Sequence, residues 1–386
     1  MEGELQKTKT DLQPGTKQRN RWHFFTSLFI IIIVFTLCVS MVFAFFSFWI
    51  KPAAIPQIVI AEEISTKEED TKPDSNQDKE KKKEEGAFHI PEGDMEDALI
   101  GDGLQAPEGF TSEDRKELFY TFLVIGIDTG ANTDTIIVAS YDGLKQEANL
   151  ISIPRDSLVN VKRPMKKINA AYPVGTQNGG IEGGIAQLQR EIKTIIGFIP
   201  DFYLLVNFEA FTRLVDAVGG IEIDVPFGMY YDDPYQNLHI NIPKGLQYLN
   251  GEDALRFARY RKGNNINSSI SDYDRINNQQ TVIQAVTEQL LKPRNLLKIP
   301  EFIDIFTDNV FSNLEARDIL WFAGEANKIR GTGALSMHTM PTTGTSGEPM
   351  YYEYLDSYGV ITLINETINP FIKDIEAKDL SIVTSY

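Results

Sequence analysis

Three short stretches of the chain carry residues whose type and spacing suit an anion. In Asp272-Tyr273-Asp274-Arg275-Ile276-Asn277-Asn278-Gln279-Gln280, the residues Asp272, Arg275 and Gln279 stand at i, i+3 and i+7. On a helix that spacing puts them on one face. The segment Arg259-Tyr260-Arg261 and the segment Ser152-Ile153-Pro154-Arg155-Asp156 add three more arginines. A guanidinium is a planar, permanently charged fork matched to phosphate oxygens. Several arginines with no comparable carboxylate cluster among them point to a polyanionic ligand of limited size. Beyond Gln279, the residues Ile283, Val286 and Leu290 follow Ile276 close to the same direction, so the face is polar in its first two turns and apolar afterwards. An amphiphile would fit it, with phosphate at the helix N-terminus and hydrocarbon deeper in. An ordinary surface ion pair above an ordinary core has the same spacing; the arginines favour the pocket. Asp128 and Asp134 flank a Gly-containing loop at the end of one apolar run and the start of the next. Two such carboxylates can share Mg²⁺, although aspartates in this setting are often simply turn formers.

The elements that must position these residues are short and alternate in type. Phe122–Ile127, Thr135–Tyr141 and Leu150–Ile153 are β-branched apolar runs, the last stopped by Pro154, and predict buried strands. A helix is expected over about Gly184–Ile196, then a strand at Tyr203–Val206. A helix at Phe208–Val218 closed by Gly219-Gly220 follows, and a strand at Ile221–Val225 ended by Pro226. A short helix should run from Asn250 into the Arg-x-Arg segment, and a longer one from Asp272 to about Leu291. Farther on, Asn313–Ile329 reads as an amphipathic helix and Met337–Met340 as a short strand. Strands alternating with helices imply an α/β domain. The four histidines show no metal spacing, and no phosphate-loop, HExxH or GxSxG signature occurs.

Charge and hydropathy divide the rest. The 386 residues carry a net charge of −17, made of +2 on residues 1–23, none on 24–50, −10 on 51–117 and −9 on 118–386. A body of that sign does not bind nucleic acid through its phosphates. Phe24–Ile50 has no charged residue and is long enough to cross a bilayer as one helix. Lys17, Arg19 and Arg21 before it predict a cytoplasmic N-terminus of residues 1–23, with everything after Lys51 outside. The single cysteine, Cys38, lies inside this span, so an intramolecular disulfide or a Cys-based zinc site is excluded. Residues 51–117 are rich in Lys, Glu and Asp without apolar periodicity, and read as a linker or stalk.

The wording and order of seven blocks resemble the LytR-CpsA-Psr (LCP) family. They are Phe122–Asp128, Thr133–Thr135, Ser152–Asp156, Lys167–Tyr172, Val206–Val225, Gly245–Arg261 and Asp272–Gln280. The resemblance covers about 120–292. It implies an α-β-α layered domain with a mixed central β-sheet over 118–292, preceded by one transmembrane helix, with 293–386 as an extension of the same domain. Such proteins sit on the outer face of the membrane of mostly Gram-positive bacteria. They move a glycopolymer, teichoic acid or capsular polysaccharide, from an undecaprenyl-pyrophosphate carrier to peptidoglycan.

Carried over by residue, the resemblance implies Mg²⁺ on Asp128 and Asp134. It places Arg155, Arg259, Arg261, Arg275 and Gln279 around the pyrophosphate, and leaves Asp272 as either a base or an orienter of arginine. The apolar turns after Gln279 would help line a lipid tunnel. Three departures remove or displace positive charge. Asn132 and Asn278 stand where the family commonly has arginine, and the loop Gly263–Ser271 is long. Two other readings stay open beside the transferase: a non-catalytic polyprenyl-phosphate-binding envelope regulator, and a polyprenyl-pyrophosphate hydrolase. Tyr351-Tyr352-Glu353-Tyr354 is an aromatic cluster able to contact glycan.

Overall fold

The computed structural model of the chain describes residues 51–55, 106–128, 133–234, 238–264, 269–296, 298–326, 328–329, 334–347 and 350–384. The expected membrane helix at 24–50, most of the stalk, Asn132 and residues 265–268 of the long loop lie outside them. Among the described residues no helix is long and apolar enough to cross a membrane.

The elements follow in the order β1 (Phe119–Ile127), β2 (Thr133–Asp142), β3 (Glu147–Ser152), α1 (Ala171–Ile196), β4 (Phe202–Val206) and α2 (Phe208–Ala217). Then come β5 (Ile221–Val225), β6 (Met229–Asp233), β7 (Leu238–Ile242), β8 (Gly245–Leu249), α3 (Gly251–Arg259) and α4 (Asp272–Leu290). The C-terminal part adds α5 (Ile299–Asn309), β9 (Val310–Ser312), α6 (Ala316–Ala326), β10 (Leu335–Thr339), β11 (Thr342–Thr345), β12 (Glu353–Leu355) and α7 (Ser357–Thr367).

Six strands form one mixed sheet in the order β10-β3-β2-β1-β4-β9. The β1–β2, β2–β3 and β4–β9 pairs are antiparallel, while β1–β4 and β3–β10 are parallel. Register decides which residues face which layer, because side chains alternate along a strand. Leu123 pairs with Val138 and Ile125 with Ile136, and all four are buried in one core with Leu188 and Ile192 of α1 and Val360 and Ile364 of α7. The intervening pair, Val124 and Ile137, turns to the opposite face and lines a cavity with Phe211 of α2 and Val282 of α4. The sheet therefore carries helices on both faces.

Several elements differ from expectation. The helix expected from Gly184 begins at Ala171, and its two halves meet at a kink where Gly180 has φ +62°, a conformation that side chains rarely adopt. β5 does not join the main sheet but pairs with β8 in a ribbon, and β6–β7 form a second ribbon that periodicity did not reveal. The expected stalk also ends early. Ala106 and Phe110 are buried, Phe110 packs edge-on against Phe371 at 5.0 Å, and Asp114 pairs with Lys373. The ring contact, the backbone bonds of Lys116 to Pro370 and of Ile372 to Asp114, and the ion pairs of Asp114 and Arg115 together bring this charged stretch onto the domain.

The helices bearing the arginines are tied by caps and by one close approach. Asn250 caps α3 by accepting from the Asp253 amide, and Ser271 with Asp274 forms a capping box on α4. A Cβ on Gly251 would lie 2.2 Å from the Thr212 carbonyl oxygen of α2. Gly251→Ala is expected to force α3 off α2 and to destabilise the chain by ~1–3 kcal/mol, as read by chemical denaturation; an unchanged midpoint would mean that the helix contact is looser than described.

Candidate active site

The arginines converge although they come from segments far apart in sequence. Arg155 follows β3, Arg259 ends α3 with Arg261 two residues on, and Arg275 lies in the first turn of α4. With Asp128, Asp134 and Gln279 they line the mouth of a cavity of about 650 Å³. Below the mouth the walls are apolar, among them Val124, Ile137, Val206, Phe211, Val282 and Ile283. A second, almost wholly apolar cavity of about 310 Å³ shares Val206 with the first and is lined by Leu214, Leu290 and Phe306.

One carboxylate oxygen organises the mouth. Asp134 Oδ1 accepts from Arg155 Nη1 at 2.9 Å and from Arg261 Nη2 at 2.9 Å, and lies 3.6 Å from Arg275 Nη1. The expectation of arginines without carboxylates among them is thus corrected. Like charges gathered this closely repel, and an interleaved anion offsets that repulsion. Asp272 does not line the cavity. It sits behind the arginines, with Oδ1 2.9 Å from Arg275 Nη2 and 3.7 Å from Arg155 Nε. In this position it orients two guanidinium groups.

Arg275 is only 3% exposed, and its Nε and Nη1 make no hydrogen bond. Burial, followed by the nearby Arg155 charge, lowers its pKa to about 10, so it stays cationic at neutral pH. Arg259 is lowered by burial as well, opposed by the charges of Asp134 and Asp128, and its guanidinium stacks 4.6 Å from the Phe208 ring centroid. Arg155 Nε is likewise buried without a hydrogen bond. Buried donors of this kind call for an acceptor.

The α4 N-terminus is already used by the chain. Ser271 and Asp274 satisfy each other's amides, and Asp272 adds a second carboxylate to the first turn. The expectation of phosphate at that terminus is corrected: the capping box occupies it, and the groups that line the cavity are the arginine side chains. Of the apolar residues expected to line a tunnel after Gln279, Ile283 borders the first cavity and Leu290 the second. Ile276 and Val286 are buried residues outside both linings. Asn278 is buried, and its amide nitrogen has no hydrogen-bond partner.

The structure adds residues to which the sequence assigned no role of their own. Lys262, and Tyr231 and Asp233 of the β6–β7 ribbon, join the cavity lining, with the Lys262 ammonium 5.7 Å from the Tyr231 ring centroid. Only the position of Lys262 directly after Arg261 could have signalled this. Asn169, inside a recognised block, lines the mouth too, and its carbonyl accepts from Thr133 Oγ1 at 2.8 Å. Glu353 is 1% exposed, and its Oε2 has no partner. Burial, then the Asp272 and Asp156 charges, pushes its carboxyl up to about 6.

Fold and site together define an α/β protein with an arginine-ringed mouth over an apolar cavity. Residues 62–363 match the LytR_cpsA_psr family model, and the chain belongs to that family. It is 29% identical over 212 residues to the polyisoprenyl-teichoic acid-peptidoglycan teichoic acid transferase TagV of Bacillus subtilis, covering 52% of this chain and 51% of TagV. It is 27% identical over 228 residues to the regulatory protein MsrR of Staphylococcus aureus, covering 57% of this chain and 64% of MsrR. The matched region thus spans about half to two thirds of these relatives. The TagV crystal structure superposes with a TM-score of 0.53 at 24% identity, covering 64% of this chain and 95% of that one. A structure described as TagT bound to LIIa-WTA superposes with a TM-score of 0.51 at 20% identity, covering 69% and 95%.

The buried carboxyl of Glu353 makes a test of the site's electrostatics. Folded, it keeps its proton up to about pH 6, whereas unfolded it releases it near its ordinary value of 4.5. Stability therefore falls as pH rises through that window, by on the order of 1–2 kcal/mol. Glu353→Gln has no such loss, so urea unfolding should show the variant gaining on wild type by that amount between pH 4.5 and 7. A difference independent of pH would place an ordinary carboxyl at this position.

Proposed function

We propose that this chain is a phosphotransferase that moves a glycopolymer from a polyprenyl-pyrophosphate carrier to peptidoglycan. The observation that carries this is the mouth itself, three arginines around Asp134 and Arg259 beside them, with buried nitrogens of Arg275 and Arg155 that make no hydrogen bond, set above an apolar cavity. The names of TagV and of the TagT complex support the same reading. Pyrophosphate would replace Asp134 Oδ1 as the acceptor for Arg155, Arg261 and Arg275, with Arg259 and Gln279 beside it. The isoprenoid would lie against the apolar walls below.

The acceptor hydroxyl oxygen then bonds to the glycan-bearing phosphorus. The bond from that phosphorus to the bridging oxygen breaks, polyprenyl phosphate leaves with the electron pair, and the hydroxyl proton is released to solvent. The arginines stabilise charge on the transferring and leaving phosphates, which is where most of the catalysis in such reactions arises. Asp272, paired with Arg275 and Arg155, holds them in position rather than taking the proton.

Asp128 and Asp134 fit Mg²⁺. Both line the mouth, both act on the charge of Arg259, and a pair of hard oxygen donors suits an ion that keeps water and phosphate oxygens as its other ligands. When bound, Mg²⁺ would supply further neutralisation of phosphate charge. In this reading the span at 24–50 anchors the chain to the cell membrane, with a cytoplasmic N-terminus and the folded domain outside. A second reading, a regulator that binds polyprenyl phosphate without turnover, is favoured by the name of MsrR.

The full chain, incubated with Mg²⁺, labelled polyprenyl-pyrophosphate glycan and peptidoglycan fragments, is expected to move label to peptidoglycan. Asp134→Ala and Arg155→Ala should each lower the rate by about 10²-fold or more. Free phosphorylated glycan would mean hydrolysis, and bound but unchanged donor would mean a binding protein. Unimpaired variants would overturn the site.

A further inference from the structure

The cavity accounts for the donor side of the site but not for the other side of Arg155 and Asp272, where a polar and aromatic surface begins. Tyr351 is 46% exposed and Tyr273 42%. Neither lines the cavity. Tyr273 directly follows Asp272, and its hydroxyl shares a hydrogen bond with Thr342 of β11, the strand that pairs with β12. Tyr351 precedes β12 by two residues.

Tyr351 is held in place. Its hydroxyl donates to Glu353 Oε1 at 3.5 Å, and the Lys167 ammonium lies 5.7 Å from its ring centroid. Lys167 in turn pairs with Asp156 Oδ1 at 2.8 Å, and Asp156 Oδ2 lies 3.8 Å from Arg155 Nε. The Glu353 amide donates to the Asp156 carbonyl at 3.0 Å. Tyr352, buried, ties the two loops together, its hydroxyl accepting from the Lys166 amide. Contacts thus run without a break from the exposed ring to the arginine at the mouth. The Tyr351 phenol also senses the charges of Glu353, Asp156 and Asp272.

An aromatic face whose hydroxyl is already engaged has little to offer a phosphate. It suits the C–H face of a sugar ring, since the ring quadrupole is negative above its plane, and a pre-positioned tyrosine loses little entropy on binding. Reaction geometry gives the direction. In phosphoryl transfer the attacking and leaving oxygens lie roughly in line. With the lipid phosphate leaving toward the cavity, the attacking hydroxyl must enter from the opposite side.

We propose that Tyr351, flanked by Lys167 and Tyr273, is the subsite for the acceptor sugar, stacking a ring of the glycan strand so that its hydroxyl faces the arginine-bound phosphorus. This rests on the transferase reading above and names the acceptor side of the same site. Lys167 borders the ring and supplies a polar contact for the sugar substituents.

The test uses the full chain, the labelled lipid-linked donor and a β-1,4-linked N-acetylglucosamine tetrasaccharide as acceptor probe. Tyr351→Ala should raise the KM for the tetrasaccharide by about tenfold and leave the donor KM unchanged. Tyr351→Phe, which keeps the ring and its Lys167 contact and loses only the long bond to Glu353, should raise that KM far less than Tyr351→Ala does. Calorimetric titration of the tetrasaccharide alone should show the same order. If wild type transfers label and Tyr351→Ala leaves the acceptor KM unchanged, or raises both KM values equally, the subsite is overturned and the transferase reading stands. If wild type transfers nothing but binds the tetrasaccharide in a Tyr351-dependent way, the glycan site stands and the transferase reading falls. Neither transfer nor binding would overturn both.

Discussion

Four guanidinium groups crowded at one opening are tolerable only with an anion among them. Asp134 supplies it, one oxygen meeting Arg155, Arg261 and Arg275. Asp272 meets Arg155 and Arg275 from behind. Much of the fold near the mouth can be understood as the means of bringing β2, the end of β3, the end of α3 and the start of α4 to this one carboxylate. In the interior, Coulomb attraction is stronger than in water, but so is the penalty for an unpaired charge. The pKa of Arg275, almost fully buried, is lowered by burial and by the Arg155 charge, opposed only in part by Asp272 and Asp134, and at about 10 it leaves the group charged at neutral pH.

The same constraint explains why the cavity lies where it does. Alternate residues of β1 and β2 pack against α1 in the main core, and their neighbours Val124 and Ile137 face the other layer. There α2 and α4 cross over the strand ends, held at their starts by Asn207 and by the Ser271–Asp274 capping box. Between these helices and the sheet a space remains, lined by Phe211, Val282 and Ile283 and opening among the arginines. Charge at the opening and hydrocarbon below follow from one arrangement of helices.

The sequence made some of this legible and hid the rest for physical reasons. The runs giving β1 to β4, the amphipathic α2 and the start of α4 were readable because each buries a face of fixed period. The site residues were readable as residue types in family blocks, and seven of the eight, all but Asp272, do line the mouth. What pairs with what was not readable. Arg261 reaches Asp134 across 127 positions and Arg155 across 21, and no local rule reports such contacts. That is why the arginines look free of carboxylates in the sequence; the closing of the α4 N-terminus by Ser271 and Asp274 is by contrast a local capping pattern, legible at i and i+3. In the β6–β7 ribbon, β7 alternates cleanly as Leu238-His239-Ile240-Asn241-Ile242 and was legible in principle, whereas β6 was hidden because Tyr231 and Asp233, which line the cavity, stand where apolar residues would mark a strand. Phe110 escaped because a single ring in a charged stretch gives no period at all.

The mixture of charges at the mouth follows from what transfer does to charge. A pyrophosphate joining lipid to glycan carries two negative charges near neutral pH. Transfer to a hydroxyl yields a phosphodiester with one and a lipid monophosphate approaching two, and sets free a proton. Negative charge therefore grows along the reaction. A purely basic pocket would bind the starting pyrophosphate tightly and stabilise product and reactant alike, which lowers no barrier. Arginines already partnered by Asp134 and Asp272 give up one set of contacts to take the other, so their net attraction for the bound donor is moderate. It strengthens as charge builds on the leaving oxygen. In the proposed reading, Asp134 thus does for the arginines before binding what a phosphate oxygen does afterwards, and the exchange between the two directs their attraction toward the transition state.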